Sequence, residues 1–377
     1  MTWPSSLEEL RARFEGSPPY LVGLEDELML MDPGSLELVD RAEEVLGLLP
    51  GDTQFKPELP ASQVEIVVPP HPTAKAAAAA LLDARRTLAA AVDRLVRPAA
   101  AGVHPFSPGL GELNPGERYV GIAQAYGCVA RRELVSALQV HVSVSDADRT
   151  LAIYNAARSY LPLLAALAAN APFYEGKDSG FASVRPLIAT LLPRQGVPPA
   201  FETFSDYAQA LAWGSSSGAF DDPAMWWWEL RIHGGFGTLE FRVPDAQSTV
   251  GHAAAIAAVI QALVAWLSRR HDDGEELPVH PRWMIEQNRW SACRDGVEGS
   301  MVDLNTGVRH PTRALLEALL ADLDQVSAGL QSNTELAAAA RMAETNGAMA
   351  QRSAAEAGGA RAVAQWLTQC FLDCPGG

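Results

Sequence analysis

The sequence predicts an α+β fold: an antiparallel sheet with one charged and one apolar face, the apolar face covered by helices and the charged face left uncovered. Three observations lead there. Separated strand-like segments place acidic, basic or amide side chains at alternate positions against an apolar opposite face. Strands come as hairpins with blocks of helix between them, a grammar that favours an antiparallel sheet over a doubly wound parallel one. No low-complexity linker divides the 377 residues, and the polar strand faces are scattered from residue 25 to residue 242, so one domain explains them best.

The first strand is Val22-Gly23-Leu24-Glu25-Asp26-Glu27-Leu28-Met29-Leu30, in which Glu25 and Glu27 share a face and Asp26 points the other way. Asp32-Pro33-Gly34-Ser35 is a turn signature, after which Leu36 to Val39 is expected to return as a second strand. Gln63 and Glu65 then oppose Val64, Ile66 and Val68. From Ala74 to Val96 an Ala-rich run with Leu81, Leu82, Leu88, Val92 and Leu95 at near-helical spacing predicts a long helix, broken by Pro98. Gly102 to Gly116 is loop-like, and a helix is expected around Tyr119 to Tyr126. In the strand Ala137 to Val144, Gln139 and His141 oppose Leu138, Val140 and Val142; Asp146 and Asp148 follow it and can cap the next helix, through Tyr154, Ala157 and Leu161. Asn170 to Arg185 is polar and Gly-rich, suited to a site loop.

The Trp226-Trp227-Trp228 block reads as core and rim packing and opens a strand pair turned by Gly234-Gly235-Phe236-Gly237. In it Thr238, Glu240 and Arg242 oppose Leu239, Phe241 and Val243. Helical patterns fill Val250 to Trp266, Pro311 to Val326 and Thr334 to Phe371.

Composition narrows the function. A formal net charge of −16 argues against a general nucleic-acid binder, because phosphate backbones need clustered Lys and Arg. The start, Met1-Thr2-Trp3-Pro4, lacks the basic and apolar regions of a signal peptide; the apolar run Ala253 to Leu267 is short for a bilayer and contains Gln261. A cytoplasmic protein without membrane partners is expected. Cys128, Cys293, Cys370 and Cys374 lack paired C-x-x-C spacing and read as free thiols.

A single Glu-x-Glu is ordinary on a solvated strand, but four polar faces on one sheet concentrate carboxylates that repel unless cations neutralise them. Glu58, Glu65 and Glu240 add to Glu25 and Glu27, which suggests a divalent-metal site beside basic residues for an anionic substrate. Magnesium suits a few carboxylates with phosphate oxygens, and no EF-hand loop speaks for calcium. Arg231 and Arg242 either pair with neighbouring acids or hold a carboxylate or phosphate. A lone histidine such as His141 is more often structural than a ligand, and its strand position beside Gln139 raises the odds of function. The phosphate loops G-x-x-x-x-G-K-[ST] and G-x-G-x-x-G, the serine elbow and H-E-x-x-H do not occur.

At these residues the chain resembles the carboxylate–amine ligases of the type 2 glutamate–cysteine ligase family. The series runs in order over nearly the whole chain. It comprises Gly23-Leu24-Glu25-Asp26-Glu27 with Asp32-Pro33, Ser62-Gln63-Val64-Glu65, His104-Pro105-Phe106, Glu117-Arg118-Tyr119, Val140-His141-Val142 and Asn170 with Pro172-Phe173. Gly176 to Arg185, Phe236 to Val243 with Asp245, Asn288-Arg289-Trp290 and Asn346-Gly347-Ala348 complete it.

The resemblance implies a glutamine synthetase-like antiparallel sheet whose acidic face holds magnesium and ATP, residues 1–377 forming a single ligase domain. The implied reaction is ATP-dependent amide formation through an acyl phosphate, joining glutamate to an amine, cysteine by default, with small-molecule substrates only and a homodimer allowed. Glu25, Glu27, Glu65 and Glu240 would hold magnesium; Arg242 and Arg231 would steady the transferred phosphoryl group. Lys177 and Arg185 are candidates for the substrate carboxylates, His141 lies near nucleotide or metal, and Lys177, Gln139, Thr238 and Arg118 form the nucleotide side. Family members usually read His-Val-His-Val-Gly at Gln139-Val140-His141-Val142-Ser143 and Trp-Asp-x-Arg-Pro at Trp228-Glu229-Leu230-Arg231-Ile232. These departures leave open a non-catalytic relative that binds nucleotide or amino acid, and the carboxylates leave open a metal-dependent hydrolase.

Overall fold

The computed structural model describes residues 6–16, 18–220 and 222–373. The expectations for Met1-Thr2-Trp3-Pro4 and for Cys374 lie outside the described residues. The strands are β1 (Val22–Met31), β2 (Phe55–Pro57), β3 (Gln63–His71), β4 (Arg97–Ala99), β5 (Leu138–Ser143) and β6 (Phe173–Tyr174). After them come β7 (Lys177–Asp178), β8 (Leu230–His233), β9 (Thr238–Phe241), β10 (Ser300–Val302) and β11 (Arg309–Pro311). The helices are α1 (Leu7–Ala12), α2 (Ala42–Gly47), α3 (Ala74–Val92), α4 (Glu117–Tyr126), α5 (Ala147–Ala157), α6 (Leu161–Leu167) and α7 (Arg185–Ala189). They continue with α8 (Phe204–Ser216), α9 (Val250–Asp272), α10 (Arg282–Asp295), α11 (Thr312–Leu330), α12 (Asn333–Glu344), α13 (Gly347–Ala355) and α14 (Gly359–Gln369).

A seven-stranded sheet in the order β2-β3-β1-β5-β9-β8, with β4 also on β1, organises the molecule, and its pairings are antiparallel. Alternation along each strand decides the two faces. Leu24, Leu28, Val64, Ile66, Val140, Val142, Ile232, Leu239 and Phe241 are buried on one side, in the main apolar core with residues of α3, α5 and α9. Register brings the polar residues together on the other: Glu27 opposes Glu65, Glu25 opposes Gln139, and Glu240 opposes both His141 and Arg231.

Helix α9 is the centre of the helical layer. It is long and apolar enough to cross a membrane, with a mean hydropathy of 1.9, yet 94% of that window is buried inside the molecule, which makes it a core helix. Gln261 fits there because its amide donates to the carbonyls of Tyr20 (2.7 Å) and Pro72 (3.1 Å) and accepts from the Ala74 N–H (3.3 Å). Asp26 points into the helical layer, as its strand position requires, and meets Arg85 of α3 at 2.9 Å, both fully buried. The same guanidinium donates to the carbonyls of Gln247 and Phe371, each at 2.9 Å.

Two expectations are corrected. Leu36 to Val39 does not form a strand; β3 occupies that edge of β1 as far as Met29, leaving a single bridge from Met31 to Leu38. The polar face is also not open to solvent. Glu27, Glu65, Gln139, Arg231 and Glu240 are all buried, because α4, α7 and irregular segments around them roof the sheet. Cys128, Cys293 and Cys370 are free thiols.

Candidate active site

Between the polar sheet face and its roof lies a cleft of about 410 Å³. Strands β1, β3 and β5 supply its floor with Glu25, Glu27, Glu65 and Gln139, while Glu58, Arg118, Glu133 and Arg185 come from the surrounding segments. Seven acids among the described residues line this one cleft and make its electrostatics decisive.

Two clusters lie at this floor, the second of them reaching the cleft itself through Glu25. In the first, Glu27, Glu58 and Glu65 bring carboxylate oxygens within 4.8 Å of one another. Glu27 accepts from the Ala137 N–H and from the Gln139 side-chain amide, each at 2.6 Å. Burial, with Glu58 nearby, pushes Glu27 up to about 7; burial and the acids Glu25, Glu58 and Glu27 push Glu65 well above its usual range. Two buried carboxylates and a half-buried one, with hard oxygen donors and too little neutralising charge, fit a magnesium ion.

The second cluster is Glu25, His141 and Glu240, again with potential ligand atoms within 4.8 Å. His141 Nδ1 meets Thr238 Oγ1 at 3.0 Å, which turns Nε2 toward Glu25 Oε1 at 3.6 Å. That buried Nε2 has no hydrogen-bond partner among the described residues, as an ion ligand would require. Burial alone would raise Glu25, but His141 and Arg242 outweigh it and hold the carboxyl at about 2. Glu240 resists burial in the same way: Arg231 and Arg242 keep it ionised, and each takes one of its oxygens. Glu240 therefore anchors the arginines and can reach an ion only through its remaining lone pairs.

Arg242 links the clusters. It donates to Glu240 and to the side-chain Oε1 of Gln139, while Nε2 of the same side chain donates to Glu27. Where the family motif has histidine, Gln139 thus supplies a donor and an acceptor at once. Arg185 donates to the carbonyl of Arg242 at 2.9 Å and lies 3.6 Å from Asp245, beneath the arginine rather than across from it. Arg118 stands exposed on the cleft wall, and Thr238 serves by orienting His141. The other departures have structural partners: Glu229 forms a forked pair with Arg289 at 2.6–2.9 Å, and Ile232 packs in the core.

Lys177 does not join them. It is exposed in the small β6–β7 hairpin, whose turn residues Glu175 and Gly176 both have positive φ, and it is not among the cleft-lining residues. A Gly-rich polar loop marked the surface but not the site. Conversely, Glu133 and His233 line the cleft without a sequence signal that singles them out, Glu133 because it follows a 3-10 turn with no period. Burial holds His233 down at about 3, and its Nδ1 accepts from the Phe236 N–H. Of the Trp block, Trp226 packs in the core and Trp227 forms part of the cleft wall.

A family model described as glutamate-cysteine ligase family 2 matches residues 21–365. "Putative glutamate–cysteine ligase 2-3" of Rubrobacter xylanophilus is 34% identical over 372 residues, covering 96% of this chain and 99% of that protein. "Putative glutamate–cysteine ligase 2" of Roseiflexus castenholzii is 33% identical over 322 residues, with 84% and 85% covered. Among solved structures, a bifunctional glutathione synthetase from Pasteurella multocida superposes with a TM-score of 0.66 at 14% identity, over 97% of this chain and 53% of that one. This chain therefore spans about half the length of the Pasteurella protein. The glutamate–cysteine ligase of Francisella tularensis, in complex with AMP, gives 0.65 at 12% identity, with 94% and 89% covered.

Fold, acid-lined cleft and family match together define a carboxylate–amine ligase. The chain belongs to glutamate–cysteine ligase family 2.

Proposed function

We propose that the protein is an ATP- and magnesium-dependent ligase that joins the γ-carboxylate of glutamate to an amine, cysteine by default, through an acyl phosphate. The observation that carries this reading is the pairing of two ligand clusters, Glu27–Glu58–Glu65 and Glu25–His141–Glu240, with Arg231 and Arg242 beside them at one face of the sheet. Magnesium held there would screen the phosphate oxygens of ATP and neutralise charge as phosphoryl transfer proceeds. The protein's part is positioning and electrostatics. Arg242, fixed by Glu240 and Gln139, presents a pre-oriented guanidinium toward the transferred group, with Arg231 held by the same carboxylate. The substrate carboxylate attacks the γ-phosphorus, the bond to the β-phosphate breaks, and ADP leaves. The amine nitrogen then attacks the acyl carbon, and phosphate leaves.

Arg185 and Arg118 are the cations of the cleft suited to the free carboxylate of the amino-acid substrate, and we read residues 1–377 as working as one ligase unit. ADP release by the purified protein with magnesium and ATP, plus glutamate, with and without cysteine and then a panel of amines, tests the reading. The expected result is release that requires both acid and amine, with a γ-glutamyl amide found by mass spectrometry. ATP binding without turnover of any pair would favour a binding relative, and metal-dependent hydrolysis without ATP would favour a hydrolase.

A further inference from the structure

Glu133 has no part in the arrangement above, and unlike Asp222, which accepts from the Ala224 N–H, it has an oxygen left open. Glu133 follows the 3-10 turn Gly127–Arg132, is only 9% exposed and lines the cleft. Its Oε2 is buried with no hydrogen-bond partner among the described residues. The neighbouring acids are engaged: Glu27 by Ala137 and Gln139, Glu229 by Arg289, Glu240 by Arg231 and Arg242. Glu133 belongs to neither three-ligand cluster. The charged groups it feels are Arg185 on α7, Glu27 on β1 and Arg242 beyond β9, and burial outweighs them, pushing the carboxyl up to about 8. A buried acceptor left open in a substrate cleft awaits a donor.

An amine acceptor reaches the cleft as an ammonium ion and must become neutral before it can attack. It is also the substrate nitrogen that has to approach the phosphoryl-transfer corner, where Glu27 and Arg242 lie. We infer that Glu133 binds the ammonium of the amine acceptor and takes its proton, an inference that rests on the ligase reading. The positive charge of R–NH₃⁺ beside it draws Glu133 into its carboxylate form, and the carboxylate and R–NH₃⁺ then become the carboxylic acid and R–NH₂. The lone pair of R–NH₂ forms the C–N bond, the acyl C–O bond breaks, and the second proton leaves with the phosphate. Ile122 and Val135, which line the same cleft, offer the substituent R an apolar wall.

The test compares an ordinary basic amine with hydroxylamine, which is already neutral at pH 7 and needs no base. In Glu133→Gln, amide formation with the basic amine should fall about a hundred-fold, the lower end of what a positioned base contributes. Hydroxamate formation from glutamate, ATP and hydroxylamine should stay within about threefold of wild type, because that route bypasses the lost base. Equal loss of both products, or of neither, overturns the assignment. Should Glu133→Gln fail to fold, Glu133→Asp decides: a drop confined to basic amines supports the role, and an equal drop overturns it. A wild-type protein that makes neither product removes the ligase reading and this inference with it.

Discussion

At the scale of the residue, Arg242 is where the two clusters meet. One Nη1 reaches both Glu240 and Gln139, a geometry that a lysine ammonium on a flexible stem cannot reproduce with the same orientation. Arg242→Lys, which keeps the charge, should lower kcat by about 100-fold with a normal melting curve, since one pre-oriented donor to a developing charge is worth roughly that much. Steady-state kinetics check it, and a wild-type kcat would take Arg242 out of the reaction. This residue is legible in the sequence, as are Glu25, Glu27, Glu65, Gln139, His141 and Glu240, because alternation in a strand displays its faces directly. Glu133 is not, since a 3-10 turn followed by irregular chain has no period to read. Lys177 was misplaced for a related reason: glycines and polar residues mark a loop, but not the direction in which the loop leaves the sheet.

At the scale of the element, Arg85 joins α3 to β1 and to two carbonyls far apart in sequence. Removing it would leave Asp26 buried without its counter-charge, with Oδ1 already lacking a partner among the described residues. Arg85→Met should therefore destabilise the protein by about 3–5 kcal/mol, read from urea unfolding, and loss of under about 1 kcal/mol would make the pair dispensable. Helix periodicity marked α3 well, yet the helix stops at Val92 rather than Val96, a boundary the apolar spacing did not carry. The β8–β9 turn shows the opposite case: Gly237 has φ of 69°, and a Cβ there would lie 2.2 Å from the Arg13 carbonyl oxygen. The sequence shows the glycine; only the packing of the segment after α1 shows why no side chain fits.

At the scale of the whole molecule, the clustered acids set a pH dependence. Glu27 and Glu133 keep their protons in the folded state to about 7 and 8, above the ordinary glutamate value of 4.5. Folded protein then binds more protons than unfolded chain, so stability falls as pH rises through that interval. His104 and His233, lowered to about 4 and 3 by burial, act oppositely, but only below the ordinary histidine value of 6.5. Between pH 6.5 and 8 the carboxyl groups stand alone. Metal-free protein should lose Tm across that window, and magnesium should restore most of it at pH 8 by neutralising the Glu27–Glu58–Glu65 cluster. Thermal melts with a chelator and with magnesium decide it; a flat Tm in both would mean that the cluster is neither strained nor a metal site.

The burial of α9 has a consequence for how the chain is made. Partners on both its flanks in sequence cover this helix: α3 and α5 are synthesised before it, α11 and α12 after it. Until translation has passed Glu344, a nascent segment with the hydropathy of a membrane anchor stands half clothed at the ribosome, for a time measured in seconds. During that interval a targeting factor and a chaperone would read the same greasy helix differently, and the outcome depends on how soon the last third of the protein arrives.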